Sequence, residues 1–130
     1  MGIIGNRGLQ GQPVLPYADY KAYAGSDGFF DLQFVDHTQT PVIPTSFTYQ
    51  LDDLTNDQNM VPATSASPAT SAYTLQIPGV SMVMTYPYQG SQICQLSCTF
   101  TALDSVTGAS FTGKGVIIVE LCAIQTPNGL

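Results

Sequence analysis

Apolar and polar residues alternate along most of this chain from Phe30 onward. Phe30, Leu32 and Phe34 are separated by Asp31 and Gln33, a spacing that in an extended strand sends the large side chains to one face. Phe47, Tyr49 and Leu51 repeat the pattern against Thr48, Gln50 and Asp52, and Tyr73, Leu75 and Ile77 against Thr74 and Gln76. Cys94, Leu96, Cys98, Phe100 and Ala102 give the longest run, with Gln95, Ser97, Thr99 and Thr101 between them. That run predicts a strand with one wet face. From Val116 to Ala123 both sides are apolar: Ile117, Val119 and Leu121 face one way, and Val116, Ile118 and Cys122 face the other around Glu120. Such a strand is either central in its sheet or covered by a partner on its outer side.

Turn formers separate these runs at Thr40-Pro41, at Asp52 to Asp57, at Ser65 to Pro68 and at Asp104 to Gly108. Short strands at this spacing, with no long helical period, predict an all-β antiparallel sandwich of about seven strands. Pro62, Pro68, Pro78 and Pro87 interrupt the stretch from Met60 onward. Proline has no ladder donor, so strands there belong at sheet edges.

Residues 1–28 lack the alternation and read as an extended N-terminal arm, leaving 29–130 as the sandwich domain. Gly2, Gly5, Gly8 and Gly11 recur every third residue; without accompanying prolines the spacing reads as a flexible or extended tail rather than a collagen-like segment. Pro16 ahead of Tyr17 to Ala24, with Gly25 behind, has the punctuation of a short helix. Tyr17, Tyr20 and Tyr23 would share one face of it. The rings would pack on their own domain or on a neighbouring subunit.

Composition narrows the partners. Only 9% of the 130 residues are charged, against about a quarter in an average soluble domain, and 44% are hydrophobic. A surface so poor in charge is suited to being covered. Arg7, Lys21 and Lys114 lie far apart, and the net charge is -6. Phosphate backbones need clustered cations, so no nucleic-acid partner is expected. No apolar run approaches the roughly 18 residues of a membrane span, and no charged region with an apolar follower opens the chain, so it reads as soluble and unsecreted. Met1-Gly2 resembles a myristoylation start, but Asn6 stands where Ser or Thr is required. Three cysteines without a signal segment read as reduced thiols.

Little in the sequence carries chemistry. His37 is the only histidine and lies in a polar turn, so a Ser-His-Asp or Cys-His arrangement would have to rest on Asp36-His37-Thr38, whose neighbours face opposite sides. Cys94 and Cys98 share the apolar side of a strand, which suits core packing better than zinc. Asp52, Asp53, Asn56 and Asp57 offer oxygen atoms, but without the glycine and closing glutamate of a calcium loop they read as a solvated turn. The reading is a non-enzymatic protein with no metal or cofactor.

The segment from Pro44 to Thr55, Pro-Thr-Ser-Phe-Thr-Tyr-Gln-Leu-Asp-Asp-Leu-Thr, resembles the opening strand and turn of small Ig-like β-sandwich proteins among the virion components of tailed bacteriophages. The resemblance continues through Asn59 to Pro62, the Ser/Thr/Pro-rich link at Ala63 to Thr70, the strand Tyr73 to Gly79 and two long strands at Ile93 to Leu103 and Ser110 to Leu121. It covers about residues 41–124. Gln50 and Gln95 stand where such proteins often carry basic residues. The resemblance implies an Ig-like sandwich located in a virion that is assembled in the host cytoplasm. Its role would be assembly, as a homo-oligomeric capsid decoration or cement protein on the major capsid protein, or as a neck or tail component. Contacts with other virion proteins would fall on Ile3, Ile4, Leu9, Val14, Leu15, Tyr17 and Tyr20 of the arm. A third alternative is a carbohydrate or host-surface binding module, in which Tyr86 and Tyr88, flanking Pro87, would stack on a sugar ring.

Overall fold

Each alternating run becomes a strand, and the strands form two sheets. The computed structural model describes residues 2–4, 18–86 and 90–123. It contains β1 (Gly2–Ile4), β2 (Tyr20–Tyr23), β3 (Gly28–Val35), β4 (Ser46–Asp53), β5 (Gln58–Ala66), β6 (Ala72–Ile77), β7 (Ser91–Leu103) and β8 (Ser110–Cys122). A 3-10 turn at Gly79–Ser81 follows β6, and there is no α-helix among the described residues.

One sheet has the order β1-β3-β6 and the other β2-β8-β7-β4-β5. Every pairing is antiparallel except β2 with β8, which is parallel. Hairpins join β4 to β5 and β7 to β8 within the larger sheet, while β3 to β4 and β5 to β6 cross between sheets. The fold is therefore an all-β sandwich.

Its interior is built from the residues the alternation points inward. Phe30, Leu32 and Phe34 of β3 meet Phe47 and Leu51 of β4, Leu75 and Ile77 of β6, and Leu96 and Phe100 of β7, all buried. Phe34 packs edge-on against Phe47 at 5.3 Å and Phe100 at 5.1 Å between ring centroids. Tilted pairs of this kind add to area burial because ring edges are electropositive and faces electronegative. Opposite Phe100, β8 carries Gly113, where a Cβ would overlap the Phe100 ring. Glycine is required there by close approach, not by turn geometry.

Proline placement follows donor accounting. β5, which holds Pro62, and β6, which stops at Pro78, are both edge strands. β8 lies between β7 and β2, an interior position for a strand apolar on both sides.

The helix expected at Tyr17 to Ala24 is not formed over its described part. Tyr20–Tyr23 is a strand, with Tyr20 level with Val119 and Tyr23 with Cys122 of β8. The parallel edge of β8 supplies backbone partners that a two-turn helix would have to find within itself, and isolated short helices are marginal. Burial follows period two as well: Ala18 and Ala22 are buried, while Asp19, Lys21 and Tyr23 are exposed. Tyr20 and Tyr23 consequently face opposite sides instead of sharing one. Strands β1 and β2 both lie within the stretch read as an arm, and they attach it to both sheets.

Candidate interaction surface

The larger sheet turns one side to the core and the other outward. Because β7 and β8 pair over thirteen residues each, their outward side chains form continuous rows. On β8 these are Lys114, Val116, Ile118, Glu120 and Cys122; on β7 they include Ile93, Gln95, Ser97 and Thr99. Val116 is 52% exposed, and Ile93 and Ile118 are partly buried. Gln50 and Asp52 of β4 extend the rows, with both Asp52 oxygens accepting from the Gln50 amide at 3.1 and 2.9 Å.

The charges on this face are Lys114 and Glu120 of β8, Asp52 of β4 and, on the β2 edge, Asp19 and Lys21, the last level with Glu120. Lys114 is exposed and makes no ion pair among the described residues. Glu120, two positions beyond Ile118, has one carboxylate oxygen, Oε1, that is buried without a hydrogen-bond partner. The Cys122 thiol hydrogen-bonds to the same carboxylate, and burial together with that negative charge raises its pKa. On the edge, Asp19 accepts from the Ile118 amide at 2.9 Å, and the Lys21 ammonium sits 5.6 Å from the Tyr23 ring centre.

The residues expected to meet partners are scattered. Ile3 and Ile4 lie in β1, level with Phe34 and Gln33 of β3. Leu9, Val14, Leu15, Tyr17 and Tyr88 lie outside the described residues. Tyr20 packs within its own domain, its ring 4.7 Å from that of Phe30 and its hydroxyl oxygen accepting from the Phe29 amide at 3.3 Å. Tyr86, 45% exposed, lies in the connection from β6 to β7, far along the chain from the others. Sequence reasoning did not single out Lys114 or Glu120 as contact residues, although the two-sided apolar pattern of β8 marked the strand that holds them.

At the end of the sandwich where β3 leads into β4 and β7 into β8, His37 does have a carboxylate partner. Its Nδ1 pairs with Asp104 Oδ2, while Asp104 Oδ1 accepts from the Val106 and Thr107 amides at 2.8 and 3.0 Å. Asp36, fully buried, accepts from the Thr38 and Thr40 amides and from the Thr38 hydroxyl through Oδ1. Through Oδ2 it accepts from the Ser105 amide and hydroxyl. These donors hold Asp36 well below the usual carboxylate range, the Ser105 hydroxyl most strongly. Ser105 is thus bonded to Asp36 and His37 to Asp104, an arrangement that ties two turns together.

Cys94 and Cys98 are in the core, and burial pushes their thiols up to about 11 and about 12. Asp53 departs from the solvated turn expected of it: it is buried and accepts from the Asn56 amide, the Asn56 side chain and the Thr85 hydroxyl. Inward strand parity carries it inside, and the turn supplies its donors. Among the described residues, no three His, Cys, Asp or Glu side chains are grouped to hold a metal ion. Compared with known proteins, the chain matches no family model, no curated protein and no solved structure.

Proposed function

We propose that this chain is a non-enzymatic structural subunit of a bacteriophage virion, a capsid decoration or cement protein that stabilises the shell through protein contacts. The carrying observation is the outward face of the larger sheet, a long surface whose two central strands carry Val116, Ile118 and Ile93 between few charges. Apolar positions gathered on one rigid face, one exposed and two partly so, favour burial against protein. The resemblance of Pro44 to Thr55 to phage virion proteins supplies the setting. A neck or tail position uses the same physics at lower copy number.

Quantitative mass spectrometry of purified particles tests the reading. Hundreds of copies per particle support a shell position, and about a dozen support a neck or tail. Absence of the chain from intact particles overturns the proposal. A second reading, a carbohydrate-binding module, draws on the exposure of Tyr86; glycan-array binding abolished by Tyr86→Ala would favour it.

A further inference from the structure

The outward face of the larger sheet also carries information about which protein covers it. Besides Asp52 of β4 and Asp19 and Lys21 on the β2 edge, its charges are two on β8 that stand at either end of an apolar pair, in the order Lys114, Val116, Ile118, Glu120. Reversing that order places opposite charges in line and the apolar residues together. A strand with this pattern is complementary to itself when antiparallel.

We propose that two copies of this chain pack face to face through the outward side of the larger sheet, about a two-fold axis lying between the sheets and crossing β8 near Ile117. Lys114 of each copy then lies over Glu120 of the other, and Val116 over Ile118. A symmetric dimer needs a surface that meets itself in this way, residue i on j and j on i. The alternative axis, parallel to the strands, would bring Lys114 onto Lys114 and Glu120 onto Glu120. Like charges desolvated against each other are unfavourable, so the crossing axis is selected.

Glu120 supplies an independent reason. Its Oε1 is buried without a hydrogen-bond partner, while the Cys122 thiol bonds the same carboxylate and Lys21 of β2 stands level with it, so one acceptor is left for a further donor. Rotation about the glutamate χ angles presents that oxygen to a lysine arriving from the opposite sheet.

The available area also suits a dimer. Five strands at about 4.8 Å spacing, over about nine residues at about 3.4 Å each, give a face on the order of 700 Å². Stable interfaces bury about 800 Å² per partner. The inference rests on the sheet face alone and stands whether or not the protein belongs to a virion.

Sedimentation equilibrium of the purified full chain tests it. The expected result is a species of twice the 13.8 kDa chain mass in reversible equilibrium with monomer. Val116→Lys should raise the dimer Kd at least about tenfold while leaving the β-sheet circular dichroism unchanged, because the position is half exposed. Lys114→Glu should weaken the dimer as well, and the double exchange Lys114→Glu with Glu120→Lys should restore it relative to either single change. A monomer throughout the accessible concentration range overturns the proposal, as does a dimer indifferent to Val116→Lys. Failure of the double exchange to recover association overturns the axis assigned here.

Discussion

The two ends of this sandwich are closed by different means. At one end, the turns after β3 and β7 are joined by carboxylates: Asp36 holds its own turn and reaches Ser105, while Asp104 holds its own turn and reaches His37. At the other end, the connection from β6 to β7 closes over the turn between β2 and β3 by close backbone approach, together with the Asp27 carboxylate, which accepts from the Gly79 amide at 2.7 Å. The Gly25 amide donates to the Met82 carbonyl at 2.8 Å, and Gly79 lies against the Gly25 carbonyl so closely that a Cβ would overlap its oxygen. Met82 plugs the interior beneath, fully buried. One end therefore rests on carboxylates, whereas the other adds close backbone approach and a buried plug to its own carboxylate contacts, the Gly79 amide donating to Asp27 and the Thr85 hydroxyl to Asp53. The difference predicts which perturbations each end will feel.

The largest effect should come from removing the plug at the shape-dependent end. Met82→Ala deletes a buried side chain and leaves a cavity, at a cost of about 2–5 kcal/mol. Gly79→Ala comes next, at about 1–3 kcal/mol, because the added methyl meets backbone that cannot turn aside. Urea unfolding followed by circular dichroism measures both. A cost under about 0.5 kcal/mol for Gly79→Ala would mean that this end is not held by close approach.

The end held by Asp36 and Asp104 should respond to pH. The pKa values of Asp36 and Asp104 are lowered in the folded protein from the ordinary value of 3.8, by the Ser105 and Thr38 side chains for Asp36 and chiefly by the Thr107 amide for Asp104. A depressed folded pKa means that the unfolded chain binds the proton first. The contribution to stability is therefore complete above the ordinary carboxylate pKa and declines as the pH falls below about 4. Asp36→Asn keeps one oxygen acceptor and gives up the other, so the variant should melt below the parent at pH 7. The gap should narrow as the pH is lowered from 5 to 3. Thermal melts across that range check it, and a gap constant with pH would show that the carboxylate charge is immaterial.

These two ends also mark how far alternation carries a reader. The strands β3, β4, β6, β7 and β8 were legible because their burial has period two, whereas β5 (Gln58–Ala66), largely exposed and running through Pro62, was read in its second half as a link. The same parity continued one step further reaches the three buried aspartates. Asp36 follows Phe34, Asp53 follows Leu51 and Asp104 follows Ala102, each two residues beyond a buried apolar position. All three were read as turn residues, and Asp53 as part of a solvated turn. Parity placed them inside, where turn amides and hydroxyls satisfy them. The strand β2 was hidden for a different reason. Its inward side is Ala22 with Tyr20, too weak a hydrophobic signal beside the proline and glycine that suggest a helix, and only the distant edge of β8 decides its conformation. As for the candidate surface, the second apolar side of β8 was visible in sequence, whereas the place of Lys114 and Glu120 in one outward row depends on the pairing of β7 with β8.

The smallest effect separates closure of the ends from what projects beyond them. Val80, 83% exposed, tops the shape-dependent end, and Val106, 70% exposed, tops the carboxylate end within the turn that Asp104 holds. Neither side chain has much area left to lose on unfolding. Val80→Ser and Val106→Ser should therefore each change stability by no more than about 0.5 kcal/mol, measured by the same urea titration. Equal indifference at both tips would confine the contrast to Met82, Gly79, Asp36 and Asp104, the groups that fasten the turns. A Val106→Ser cost of about 1 kcal/mol or more would instead make the carboxylate end depend on apolar packing too, and the division between charge and shape would fail there.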